Sequence, residues 1–366
     1  MLKALEPAAR ADSQFQASHE HESDDYPLFD WLRFALASVV ALGHVHLITW
    51  SAITGNLAVQ VFFALSGWLI GGILLKTEVY QLPRFFFNRA TRIWAPYFFS
   101  VVTIYALSAA REPITSRWLE FLFYDVTFTH NWFTLWPNAT LALAEMPLKG
   151  TGNGLWSIAV EEQFYLIAPL LIVMVRFGRN TWLWALIATG LWYLQLTDFA
   201  SISLGVLAST VQQTHRGLHL KPYLVAAAAG ALVISAIVLA AVSYKYGAPL
   251  FAISVVLLCA RPGHRNTAGV FVGAISYPMY LNHWMGAFLI NEIAKRVEWL
   301  TPPTIGVLSY VLGIAAGTAA YWMIDRTVLT KRNAFYSSPI GKLLATAAYS
   351  LVSLGLLGGL FIQHWK

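Results

Sequence analysis

Charge is the scarcest ingredient of this sequence. Charged residues make up 11% of its 366 positions, whereas a water-soluble domain carries about 25%. So few charges cannot coat a water-facing surface, which excludes a soluble globular chain. Cysteine is nearly absent as well. Cys259 stands alone, so no intramolecular disulfide and no cysteine metal cluster can form, and no metal is expected. A secretory leader is also missing. Residues 1–25 are polar, end in "HEHESDD", and have neither the basic start nor the apolar run of a signal peptide. Residues 1–26 therefore read as a disordered cytoplasmic tail with solvated histidines and acids. No internal repeat and no soluble second domain is visible in the rest.

What the sequence does have is apolar surface. Aliphatic, aromatic and cysteine residues reach 57%, and they gather in runs of the length that crosses a bilayer, about 20 residues. Eleven spans are predicted: 28–50, 57–76, 94–111, 155–177, 181–197, 199–214, 222–243, 247–260, 268–290, 303–325 and 342–363. The fold class is an all-α polytopic integral membrane protein. Its membrane domain covers 27–330, with about ten core helices, and an additional C-terminal helix occupies 331–366. Segment 112–154 is too polar and proline-rich for a simple span. Its aromatic band, with His130, Trp132 and Trp136, is expected to lie at an interface or to re-enter. Sixteen of the 24 Lys and Arg fall on the side holding the N-terminus and seven on the other, with Arg33 inside the first span. Positive charge collects on cytoplasmic loops, so the N-terminus is placed in the cytoplasm. The same bias accounts for the net charge of +6 without a nucleic-acid partner.

Ionisable groups within the spans are costly and mark function by default. Arg33 and His44 are eleven residues apart, which on a helix is three turns plus about 20°, so both project from one face about 16 Å apart. The bland alternative is that Arg33 snorkels to the interface while His44 makes an interhelical hydrogen bond. Glu161 and Glu162, one turn after Ser157, reach a depth similar to that of His44. A carboxylate there could orient the imidazole, or simply tie helices together through an arginine. Arg89 and Arg92, in "RFFFNRATRIWAPY" after Arg84, share a face at i,i+3. They suit a phosphate, or serve as an ordinary positive-inside flank. Pro96 is expected to bend or start the helix that follows. Gly67 and Gly71 have the spacing of close helix packing. His283, near the outer end of the ninth span, suits a structural hydrogen bond, or else acceptor binding.

These stretches together resemble the membrane-bound acyltransferase family 3, whose members O-acylate glycans and related acceptors. The matches are Arg33 and His44 with ten residues between them, "VQVFFALSGWLI", Arg89-Ala90-Thr91-Arg92, "LWSIAVEEQFYL" and "SYPMYLNHW", in order along most of the chain. "YWMIDRTV" is a weaker version of the family's closing Glu-Arg-Pro element, with Asp325 for Glu and Thr327 for Pro. The resemblance implies an enzyme that moves an acyl group, commonly acetyl, from cytoplasmic acetyl-CoA or another acyl-CoA to a glycan or polysaccharide hydroxyl at the other face of a bacterial inner membrane. It implies His44 as the catalytic base with Glu161 or Glu162 as helper, and Arg33, Arg89 and Arg92 as donor contacts. Trp156, Ser157, Tyr165 and His283 are candidate substrate contacts, and membrane lipid is an expected partner. The rival class is a transporter or flippase of a lipid-linked sugar, for which paired inverted repeats would speak. None is seen.

Overall fold

The structure, a computed structural model, describes residues 26–135, 145–297 and 299–365. Helix accounts for 84% of it, and no strand occurs among the described residues. The tail call lies outside the described residues apart from Tyr26, and so does Trp136. In chain order the helices that matter are α1 (Pro27–His44), α2 (Leu57–Lys76), α3 (Leu82–Ala109), α4 (Ser116–Val126) and α5 (Leu155–Pro169). Next come α6 (Thr181–Tyr193), α7 (Thr197–Thr214), α8 (Pro222–Ala241), α9 (Tyr244–Cys259) and α10 (Thr267–Asn282). The last four are α11 (Trp284–Ala294), α12 (Pro302–Ala320), α13 (Arg326–Phe335) and α14 (Ser338–His364).

Among the described residues, five stretches are long and apolar enough to cross a membrane: Ala52–Lys76, Leu155–Met174, Pro222–Ala241, Pro302–Phe335 and Ser338–His364. Two of them show what surrounds the bundle. The Ala52–Lys76 stretch is 72% buried inside the protein, whereas Pro222–Ala241, more apolar still, is only 6% buried. An apolar helix with nothing packed around it is stable only in an apolar solvent, so the molecule is an integral membrane protein. The other expected spans do not appear as separate long apolar helices. α6 has 13 residues and α9 has 16. The ninth expected span is broken at His283 into α10 and α11.

Two predicted boundaries move, and both moves matter for the site. The first span was expected to run to residue 50, but α1 stops at His44, and His46 takes a left-handed φ of 60° in the turn that follows. His44 therefore sits at a helix end rather than mid-helix. The third span was expected from residue 94, but α3 begins at Leu82, with Pro83 at its first turn, where a missing N–H costs nothing. Arg84, Arg89 and Arg92 consequently ride on the helix itself, and Pro96 lies inside it instead of starting it.

Small residues set the tightest packing. Gly67 of α2 lies against the backbone of Ile202 and Gly205 in α7, and Gly205 lies against the backbone of Ala64 and Trp68. A side chain at either position would collide with main chain, so these glycines allow α2 and α7 to touch. Gln60 joins the pair by donating to Asp198 at 2.5 Å and accepting from Ser201 at 2.6 Å. Asp198, expected at a tight junction, opens α7, where a carboxylate suits the helix N-terminus. At one end of the bundle, the buried Asp30 of α1 receives a fork from Arg265, at 2.7 and 2.9 Å, in the segment leading into α10. Segment 112–135 re-enters the protein: Phe121, Tyr124, Phe128 and His130 are all buried. α14 covers it, with Gly355 against Thr127 and Thr129, and the Tyr349 hydroxyl donates to the Leu166 carbonyl at 2.8 Å.

Candidate active site

α5 presents two different faces. Ser157, Ile158, Glu161 and Tyr165 fall on one stripe of the helix by their i, i+1, i+4, i+8 spacing, and all four line a cavity of about 120 Å³. Glu162 and Gln163 point away from it. The Glu161 carboxylate is held by two hydroxyls, Ser66 at 2.6 Å and Tyr165 at 3.0 Å. Glu162 accepts from the Trp94 indole at 3.0 Å, and its second oxygen has no partner.

Three guanidiniums line the same cavity: Arg33 from α1 and Arg89 and Arg92 from α3. Arg33 is only loosely tied, 3.5 Å from Asp30, because that carboxylate is already taken by Arg265. Neither Arg89 nor Arg92 has a hydrogen bond or ion pair to a described residue, and the buried Nε of Arg89 is left without a partner. Glu161 is within electrostatic reach of Arg33 and Arg89, and Asp325 of Arg92. A buried guanidinium lacking acceptors is costly, so this end of the cavity is built for an anion.

The cavity is long for its volume. Along α2 it is lined from Val59 to Ile70, eleven residues at 1.5 Å each, or about 16 Å. Its walls between the ends are apolar or hydroxylic: Phe62, Phe63, Leu69, Ser66, Ser276, Tyr277 and Tyr280. At the end away from Arg33, Tyr280 and Ser157 share a hydrogen bond of 2.7 Å. Beyond Tyr280 stands a pair of histidines. The Tyr280 and His283 rings are 6.5 Å apart, and those of His283 and His44 meet edge to edge, their centroids 5.0 Å apart and their planes 22° from parallel.

His44 and His283 meet through their ring nitrogens, Nδ1 of His44 to Nε2 of His283, at 2.7 Å. The other nitrogen of His283 lies 2.8 Å from the Tyr280 carbonyl. Trp50 stacks on a face of the His44 ring at 4.4 Å, and it fits there because Gly43 and Gly55 leave room for its ring. His44 is exposed, while His283 is buried.

The expected partner of His44 needs correcting. Neither Glu161 nor Glu162 hydrogen-bonds to it, and the residue that does is His283, 239 positions away. Ser157 and Tyr165 are in the cavity wall as expected, whereas Trp156 packs edge-on against Phe63 at 5.9 Å and is not part of that wall. Ser66, Tyr277, Tyr280 and Trp50 escaped the sequence reading. Tyr277 and Tyr280 sit inside "SYPMYLNHW" and Ser66 inside "FFALSGWLI", where hydroxyls among apolar residues read as core.

The opposite face of α5 meets the re-entrant segment. Gln163 accepts from Trp132 at 2.8 Å and donates to the Phe128 carbonyl at 2.8 Å. Behind them His130 pairs with Asp125 at 2.6 Å, and Asp125 also accepts from Tyr105 at 2.6 Å. These bonds fix how segment 112–135 folds back and leave Glu161 free to face the cavity.

The bundle and its cavity define a class: an integral membrane protein in which a basic pocket between the helices ends at Tyr280, beside a histidine pair that does not itself line the pocket. The profile of a family described as an acyltransferase domain matches residues 26–324, and the chain belongs to that family. Over 171 residues it is 32% identical to the peptidoglycan O-acetyltransferase OatA of Listeria monocytogenes, a match covering 45% of this chain and 27% of that protein. Over 128 residues it is 29% identical to the O-acetyltransferase OatA of Staphylococcus aureus strain NCTC 8325, covering 33% and 21%. The matched stretches thus span about a quarter of the length of these relatives or less. No solved structure matches the chain.

Proposed function

We propose that the protein is a membrane O-acetyltransferase that takes an acetyl group from acetyl-CoA on the cytoplasmic side and places it on a hydroxyl of a cell-envelope glycan at the other face. The bundle would sit in a bacterial inner membrane with its N-terminus inside. One observation carries this reading: a single cavity has three under-partnered guanidiniums at one end and reaches, at the other, a tyrosine next to the His44–His283 pair. The names of the relatives support acetyl as the group moved and peptidoglycan as the first acceptor to try.

In this proposal Arg33, Arg89 and Arg92 hold the phosphates of the donor, since guanidiniums bind phosphate oxygens through paired, charge-assisted hydrogen bonds. The narrow apolar stretch between Phe62 and Tyr277 takes the extended arm that carries the thioester. Glu161, held by Ser66 and Tyr165, stays within electrostatic reach of Arg33 and Arg89 without bonding to them and weakens their pull on the donor phosphates. His44 is the catalytic base. It removes the proton of the acceptor hydroxyl as that oxygen attacks the thioester carbonyl carbon. A C–O bond forms and the C–S bond breaks. The proton then passes from the imidazole to the departing sulfur, leaving an O-acetyl ester and a free thiol.

The test uses purified full-length protein in detergent with acetyl-CoA and a soluble peptidoglycan fragment. The expected result is thiol release matched by an added acetyl mass on the glycan, both absent from His44→Ala. Wild-type protein that neither releases thiol nor transfers acetyl to any envelope glycan, or His44→Ala turning over like wild type, overturns the proposal.

A further inference from the structure

We infer that His283 is the positioning residue that sets the tautomer of His44 and thereby makes it a base. The inference rests on the acetyl-transfer reading above and deepens it. It follows from two distances and the chemistry of the atoms they join.

The chain of contacts runs from the Tyr280 carbonyl to His283 and on to His44. A carbonyl oxygen can only accept, so His283 Nδ1, 2.8 Å from it, carries the hydrogen. In the uncharged ring the other nitrogen then has a lone pair. That lone pair, on Nε2, faces Nδ1 of His44 at 2.7 Å. Two lone pairs cannot meet at such a distance, so His44 Nδ1 donates. The hydrogen of His44 is therefore on Nδ1, and its Nε2 keeps the lone pair a base needs. No described residue hydrogen-bonds to that Nε2, and the ring is exposed.

His283 does here what a buried carboxylate does in a serine hydrolase triad: it fixes ring orientation and proton placement without touching substrate. A backbone carbonyl anchors the relay, so one proton arrangement satisfies both nitrogens of His283 and Nδ1 of His44 in the uncharged pair. The fold holds the anchor firmly. His283 lies at the break between α10 and α11, and Gly313 of α12 packs directly against its backbone. Trp50 stacks on the His44 ring with 25° between the planes and holds it 22° from parallel with His283. Without an acceptor at Nδ1, His44 is free to move its hydrogen to Nε2, the nitrogen free histidine prefers to protonate, and the lone pair then faces away from the acceptor hydroxyl.

The experiment compares wild type, His44→Ala, His283→Gln and His283→Leu in full-length purified protein, with acetyl-CoA and the peptidoglycan fragment as probes. Thermal unfolding is followed alongside. Gln offers a carbonyl oxygen near the position of Nε2, whereas Leu offers none, and His283→Met replaces it if the leucine variant does not fold. The expected result is a fall in kcat of about 10²–10⁴-fold in His283→Leu, the worth of a general base, with a wrong tautomer alone reaching about 10⁴ in a serine hydrolase triad. KM for both substrates should stay within a few fold, and His283→Gln should recover at least tenfold. A rise in acceptor KM with kcat unchanged would make His283 a binding residue and overturn the inference. So would His283→Gln and His283→Leu being equally slow while as heat-stable as wild type. If wild type is active, His44→Ala is dead and His283→Leu turns over normally, the inference fails alone. If wild type transfers no acetyl group, the functional reading fails with it.

Discussion

The two ends of the cavity are built on opposite principles. At the arginine end positive charge is left short of partners: Arg89 has an unmatched Nε, and Arg33 is 3.5 Å from a carboxylate that Arg265 already occupies. At the histidine end the facing polar atoms are matched: Tyr280 with Ser157, His283 with a carbonyl, and His44 with His283. Unsatisfied charge inside a membrane protein is held in reserve for a ligand, whereas a closed chain of hydrogen bonds fixes where protons sit. In the proposed function the first arrangement binds and the second positions. A transporter or flippase of a lipid-linked sugar could use the arginines for a lipid phosphate but would have no need of the ordered imidazoles.

Four results would sharpen or break that contrast. The largest concerns the histidine end. His44→Ala should lower kcat for acetyl transfer by about 10²–10⁴-fold, the usual worth of a general base, with donor KM nearly unchanged. Stopped assays over a range of acetyl-CoA concentrations separate the two. Next, the double variant Arg89→Ala with Arg92→Ala should raise donor KM by about 100-fold. Each charged hydrogen bond contributes about 1.5–3 kcal/mol, and 1.4 kcal/mol is tenfold. Arg→Lys replacements should recover only part of this, because lysine lacks the planar fork. If donor KM stays flat while expression drops, the arginines serve topology instead.

A smaller effect is expected at Trp50. Removing a stacked ring loses about 0.5–1.5 kcal/mol, so Trp50→Ala should slow turnover by about 2–10-fold and leave donor KM alone. The smallest effect compares neighbours. Glu161→Gln removes a negative charge within reach of Arg33 and Arg89, and should lower donor KM a few fold. Glu162→Gln, on the other face of α5, should leave donor KM where it was. Equal responses from the two would show that the carboxylates do not differ as the cavity suggests.

How much of the site could be read beforehand depends on the kind of contact. Arg33 and His44 share helix α1, so their joint placement is legible, but only Arg33 lines the cavity, and His44 ends the helix against His283 beyond it. Arg89 and Arg92 were paired for the same reason, although the helix that carries them starts twelve residues earlier than its apolar run, since three arginines dilute the signal at its beginning. The choice between Glu161 and Glu162 was not legible. The two are adjacent, so 100° of helix rotation separates them, and nothing local says which of them meets the cavity. Trp50 was invisible because its place depends on two glycines on either side of a turn.

The sequence by itself determined the solvent and the material. Scarce charge and long apolar runs demand a helical protein in a bilayer, because backbone polar groups in lipid must be satisfied within each segment, and this holds whatever the helices do next. Tertiary structure alone decided the partnerships. Which imidazole faces His44, and which carboxylate looks toward the arginines, depends on how far each helix is rotated and how closely glycines let its neighbours approach. Those quantities belong to pairs of helices, and no single segment carries them.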